Sequence, residues 1–185
     1  GDALNVEVHT SQPVSGKDDV WHVAASARVN SRGALAAEQL DLAALRAKLP
    51  EVLGEVAEPG AGGNDLAAVP QTALRLEVSA RWQCRKRLWA AEDGNTLLAE
   101  LQLPDAYRAD FNTFRWHPAR MDIAASLALR NATGFVPAAC AEVRLHSPLT
   151  AQAWALVRIT ERQQGMITAD CAVADASGRV LVELR

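Results

Sequence analysis

Apolar and polar residues alternate from Leu4 to His9 (Leu-Asn-Val-Glu-Val-His), the two-residue period of a strand with one buried face. Residues 13–19 hold Pro13, Ser15, Gly16, Asp18 and Asp19 and read as a hairpin loop, with a returning strand over 20–29. Such a hairpin is marginal alone and needs a further sheet. Leu42, Leu45 and Leu49 share one face of a short helix expected over 40–49, with Asp41 as its cap and Pro50 as its stop. Residues 54–66 contain Gly54, Pro59, Gly60, Gly62 and Gly63, the pattern of a linker. Strands are then expected over 74–79 and 82–90. Glu92-Asp93-Gly94-Asn95 is a turn, a strand follows over 96–103, and 104–110 is a loop.

The longest helical pattern covers 117–130. Pro118 stands at its first position, where a missing N–H costs nothing. Met121, Ala124, Ala125, Ala128 and Leu129 form its apolar face. Strands over 140–146, 153–159, 166–174 and 180–184 follow, the last two joined by an Asp175-Ala176-Ser177-Gly178 turn. One apolar helix followed by antiparallel strands is an α+β pattern, and a sheet curled around the helix buries it most economically.

Composition narrows the classes. With 49% hydrophobic and 22% charged residues, the 185-residue chain can fill a core. Its formal charge of -3 is too weak a field to suggest nucleic acid or an anionic membrane as partner. The basic run Arg81, Arg85, Lys86 and Arg87 reads as a solvated strand face. No apolar run approaches the ~20 residues of a membrane helix, and Gly1-Asp2-Ala3-Leu4 has no signal-peptide character. Cys84, Cys140 and Cys171 are widely spaced and read as free thiols of a reducing cytoplasm. The four histidines show no metal-ligand spacing, so neither metal nor cofactor is expected.

The segment Phe114-Arg115-Trp116-His117-Pro118-Ala119-Arg120-Met121-Asp122 resembles the second-hotdog signature of polyketide synthase dehydratases, in which His-Pro-x-x-Leu/Met-Asp is followed by Gln or His four residues on. Flanking segments agree in order: Trp21-His22-Val23-Ala24-Ala25-Ser26, Arg87-Leu88-Trp89 with Leu98-Ala99-Glu100-Leu101, Phe135-Val136-Pro137 with Val143-Arg144-Leu145-His146, and Ala174-Asp175-Ala176-Ser177-Gly178-Arg179. The resemblance implies a hotdog fold, an antiparallel sheet wrapped around a central helix, within a double hotdog. Residues 1–53 would end the first hotdog, 54–66 link, and 67–185 form the second.

It also implies chemistry. Dehydrating a β-hydroxyacyl thioester needs a base at the α-carbon and an acid at the hydroxyl. In the family His is the base and Asp the acid, and Asp122 matches that Asp. Burial in an apolar helix would raise its pKa and suit it to donate a proton. The alternative is a structural Asp favoured by the helix dipole. Ser126 stands where the family has Gln or His and could hydrogen-bond Asp122 from one turn away. Gln83 and His117 are the further candidates for substrate contact, although His117 before Pro118 also suits a structural role. The family's His-x3-Gly-x4-Pro is absent, and its Tyr-Gly-Pro-x-Phe-Gln stands here as Val78-Ser79-Ala80-Arg81-Trp82-Gln83. The implied partners are an acyl carrier protein and neighbouring synthase domains, with a homodimer open. The implied function is a dehydratase whose His lies upstream of Gly1. A non-catalytic dehydratase-like scaffold, branching or dimerisation domain of the synthase competes with it, and a free-standing hotdog thioesterase is a third alternative.

Overall fold

The computed structural model describes residues 3–12, 20–30, 36–53, 79–130, 137–163 and 165–185. They fall into two compact units, Gly1–Ala36 and Ala37–Arg185.

The first unit is the hairpin that the alternation predicts. β1 (Ala3–Gln12) pairs antiparallel with β2 (Val20–Asn30), with Leu4 opposite Val29, Val6 opposite Ala27 and Val8 opposite Ala25. The register slips between Val8 and His9. Neither strand joins the larger sheet. Leu4, Val6, Val8, Trp21, Val23 and Val29 are all exposed, so among the described residues nothing buries the apolar face that the alternation leads one to expect.

The second unit begins with α1 (Leu42–Lys48) and β3 (Glu51–Leu53). Asp41 caps the helix by accepting from the Ala44 amide at 2.9 Å, and the helix ends before Pro50 as the sequence predicts. β4 (Arg85–Ala90), β5 (Thr96–Gln102), β6 (Val143–Leu145), β7 (Gln152–Gln163), β8 (Met166–Ala174) and β9 (Val180–Leu184) complete a seven-stranded antiparallel sheet, in the order β3-β4-β5-β7-β8-β9-β6. Residues 37–53 belong to the second compact unit: β3 pairs with β4, and Leu40, Leu45 and Leu49 lie against Trp89, Leu98 and Trp154. The expected linker lies outside the described residues.

Both faces of the sheet are covered. Leu88, Ala90, Leu97, Ala99, Leu101, Ala153, Ala155 and Val157 point toward α2 (Pro118–Ser126) and its tightened last turn, Leu127–Leu129. Trp89, Leu98, Trp154 and Leu156 point toward α1. Small residues let α2 approach closely: Ala119 and Ala124 are fully buried, and the Cys84 and Cys171 thiols sit against their carbonyls at 3.9 and 3.7 Å. Each fully buried leucine contributes about 1.5–3 kcal/mol of transfer free energy.

Three expectations differ in detail. Residues 80–82 form a 3-10 turn, so the strand expected from 82 begins at Arg85. The loop expected over 104–110 is a 3-10 run, Asp105–Asn112, started by Pro104 and braced by an Arg108–Asp105 pair. Arg85, Lys86 and Arg87 are half-buried rather than solvated, because β4 lies inside the sheet between β3 and β5.

Candidate active site

The site is assembled where α2 begins. Proline disfavours helical backbone in the residue before it. His117 is accordingly extended (φ -62, ψ 123) and α2 starts at Pro118. His117 is buried, its ring edge-on to Phe114 at 5.5 Å and near Phe111 at 6.1 Å. Its Nε2 lies 3.2 Å from Asp110 Oδ2, and its buried Nδ1 has no partner among the described residues.

The 3-10 turn at Ala80–Trp82 brackets this region with two adjacent side chains. Arg81 Nε donates to Asp110 Oδ2 at 2.7 Å, and its guanidinium lies over the Tyr107 ring at 4.4 Å. Trp82 Nε1 donates to Asp122 Oδ2 at 2.7 Å. One turn therefore ties the Asp105–Asn112 run to α2. The Arg81 and His117 hydrogen bonds hold the Asp110 carboxyl below its ordinary pKa, so it is an anion at neutral pH.

Asp122 lies one turn into α2 and is exposed, so the burial expected for it is absent in this chain. Its Oδ1 has no partner among the described residues. Ser126, at the helix end, is half-buried, and no Ser126 hydrogen bond to Asp122 is found among the described residues. Gln83 is exposed, between the turn and β4. His117, expected among the substrate contacts, faces Asp110 in the interior. The structure thus brings Trp82 to Asp122 and leaves Ser126, Gln83 and His117 without a hydrogen bond to it. Of the other histidines, His9 pairs with Glu7, His146 pairs with Glu183, and His22 is exposed on β2.

Sequence reasoning did not anticipate three residues. Trp82 and Asp110 act across 40 and seven residues, respectively, where no local periodicity signals a contact. Arg120 sits on α2 among apolar neighbours and is 1% exposed. Its guanidinium donates to the carbonyls of Thr150, Ala151 and Leu101 and lies over Phe111. Burial raises the thiol pKa values of Cys84 to about 11 and Cys171 to about 12, which disfavours a thiolate nucleophile at either position. Among the described residues no group of His, Cys, Asp or Glu is placed to hold a metal ion, and no helix is long and apolar enough to cross a membrane. A cleft of about 210 Å³ beside α1, lined by Glu38, Asp41, Ala44, Lys48 and Arg158, includes none of the expected site residues.

This arrangement offers one exposed carboxylate with one oxygen held by an indole N–H, which suits single proton transfer. Among the described residues no second titratable group is hydrogen-bonded to that carboxylate.

The profile of the polyketide synthase dehydratase N-terminal domain matches residues 68–185. That description names the N-terminal domain, so placement in the second hotdog rests on the residue motifs alone. No curated protein matches the chain significantly. Among solved structures, a trans-AT polyketide synthase dehydratase domain from Brevibacillus brevis is similar over 99% of this chain and 63% of its own, with 23% identity and a TM-score of 0.79. The dehydratase domain of the CurF module of the curacin synthase is similar over 99% and 61%, with 18% identity and a TM-score of 0.73. The dehydratase domain of RzxB from Pseudomonas fluorescens is similar over 99% and 62%, with 19% identity and a TM-score of 0.75. At these identities the likeness establishes the hotdog fold. The chain spans about three fifths of the length of these domains.

Proposed function

The chain belongs to the polyketide synthase dehydratase family, and from that premise we propose that it supplies the Asp-bearing second hotdog of a dehydratase domain. The observation that carries the reading is the Asp122 carboxyl, exposed on α2 with Oδ2 held by Trp82 and Oδ1 without a hydrogen bond to the described residues. In the proposed reaction a base takes the α-proton of a β-hydroxyacyl thioester. The freed electron pair forms the α,β double bond as the C–O bond breaks. The hydroxyl leaves as water with a proton from Asp122 Oδ1. The base is a histidine of the other hotdog half.

No cofactor takes part in this chemistry, which moves only protons and one hydroxyl. The substrate arrives on the phosphopantetheine of an acyl carrier protein, alongside neighbouring synthase domains in the cytoplasm. The uncovered apolar residues Leu4, Val6, Val8 and Val29 of the hairpin support a further sheet in the complete domain, since such faces seek a partner.

A second reading is a dehydratase-like domain without this activity. It is favoured by Ser126, which leaves Asp122 without a donor from its own helix, and by the lack of a hydrogen bond from Gln83 or His117 to Asp122 among the described residues. Incubating the whole domain with a β-hydroxyacyl carrier protein and following loss of water by mass spectrometry separates the two. Water loss supports the dehydratase; an unchanged thioester supports the scaffold.

A further inference from the structure

We infer that Trp82 is the positioning residue for Asp122, holding the carboxyl by a hydrogen bond from outside α2 where the helix itself supplies none. The inference rests on the dehydratase reading above. On a helix, residues four apart face each other, and a glutamine at the later position can reach a carboxylate at the earlier one. Position 126 stands in that relation to Asp122, but it carries serine and makes no such bond among the described residues. The donor comes instead from Trp82, at 2.7 Å. Its direction is set by the 3-10 turn, and that turn is clamped on its other side by the Arg81–Asp110 pair.

The chemistry of the donor matters. An indole N–H only donates, so the oxygen facing it must act as acceptor. In a protonated carboxyl the carbonyl oxygen accepts better than the hydroxyl oxygen. Trp82 therefore assigns the acceptor role to Oδ2 and leaves the transferable proton on Oδ1, the open oxygen. An aspartate on an exposed helix face otherwise turns freely about its side-chain bonds. Fixing it lowers the orientation cost of proton transfer.

The test has two parts. In the whole dehydratase domain, with a 3-hydroxybutyryl carrier-protein thioester as probe, Trp82→Phe should lower kcat about 3- to 10-fold, the scale of one hydrogen bond to a neutral group. KM should stay within about twofold, because uniform binding is untouched. Adding Ser126→Gln to Trp82→Phe should restore most of the lost kcat by supplying the donor from the helix. A merely structural role for the indole would not be rescued in this way. Unchanged kcat in Trp82→Phe, or a loss that Ser126→Gln does not recover, overturns the inference. In the 185-residue chain, the indole N–H resonance of Trp82 should move on Asp122→Ala, and an unmoved resonance overturns the hydrogen bond itself. A wild-type domain that releases no water overturns the dehydratase reading and the positioning role with it, while the resonance still decides the hydrogen bond.

Discussion

Replacing Arg120 by methionine tests which of two opposing effects governs the root of α2. Arg120 is the largest fully buried side chain among the described residues, and no carboxylate faces it. Burial pulls its pKa from 12.5 down to about 10, so holding the charge in the fold costs about 3 kcal/mol at ~1.4 kcal/mol per tenfold. Against this stand its hydrogen bonds to the carbonyls of Thr150, Ala151 and Leu101. Bonds to a charged group contribute ~1.5–3 kcal/mol each. Those to Ala151 and Leu101 are 3.3 Å long and belong at the weak end. Their sum is about 4–6 kcal/mol, so the bonds exceed the burial cost. Arg120→Met keeps a long unbranched chain but deprives three carbonyls of a donor. It should lower stability by about 1–3 kcal/mol, a fall in Tm of about 3–10 °C for a chain of this size. The assay is thermal unfolding followed by near-ultraviolet circular dichroism, where Trp89 and Trp154, packed at 5.5 Å, report on the sheet. An unchanged or raised Tm would refute the reasoning and show that the burial cost dominates, as when buried charges give way to apolar side chains.

Two glycines with positive φ should respond differently to alanine. Gly94 (φ +67) has open space around it, so Gly94→Ala should cost only the left-handed backbone penalty, about 1–2 kcal/mol. At Gly178 (φ +89) a Cβ would lie 2.1 Å from the Leu40 carbonyl oxygen, so Gly178→Ala should cost a further ~1–3 kcal/mol in urea unfolding; equal costs would contradict the contact. In the folded chain a thiol reagent at pH 8 should modify Cys140 and spare Cys84 and Cys171, and rapid modification of all three would contradict their burial. The same thiols predict alkaline sensitivity. Their folded pKa values, about 11 and about 12, lie above the ordinary 9.0, so the unfolded chain ionises first. The stability present below pH 9 should therefore be lost as pH rises from 9 toward 11–12, and Cys84→Ala should flatten the lower part of that loss in urea midpoints.

The legible parts of the fold were those set by short-range rules. Asp41 and Pro50 delimit α1, Pro118 starts α2, and the turns at Gly94 and Gly178 carry the positive φ that glycine adopts without strain. Alternation located β5, β7, β8 and β9, but not that Trp89, Leu98 and Trp154 cover a second buried face under α1. The His117-Pro118 pattern singles out Asp122 as the proposed site carboxylate. Its surroundings were not legible. Its partner Trp82 comes from a turn 40 residues earlier, and its exposure depends on what lies outside α2. The apolar face read for α2 was right at Ala124 and Ala128 but passed over Arg120, because a cation satisfied by carbonyls carries no pairing partner for a sequence pattern to reveal.

The central claim is that Asp122 is the proton donor of a dehydratase domain whose base lies in the other hotdog half. The most direct measurement is mass spectrometry of a β-hydroxyacyl carrier-protein thioester after incubation with three proteins: the 185-residue chain, the whole domain, and the whole domain with Asp122→Asn. Among the described residues no base is hydrogen-bonded to Asp122, so the chain alone should leave the thioester unchanged. The whole domain should release water, and Asp122→Asn should slow it by about 10²–10⁴-fold, the usual contribution of a positioned acid or base. Water loss that persists at the wild-type rate in Asp122→Asn, or that the 185-residue chain achieves unaided, would contradict the claim.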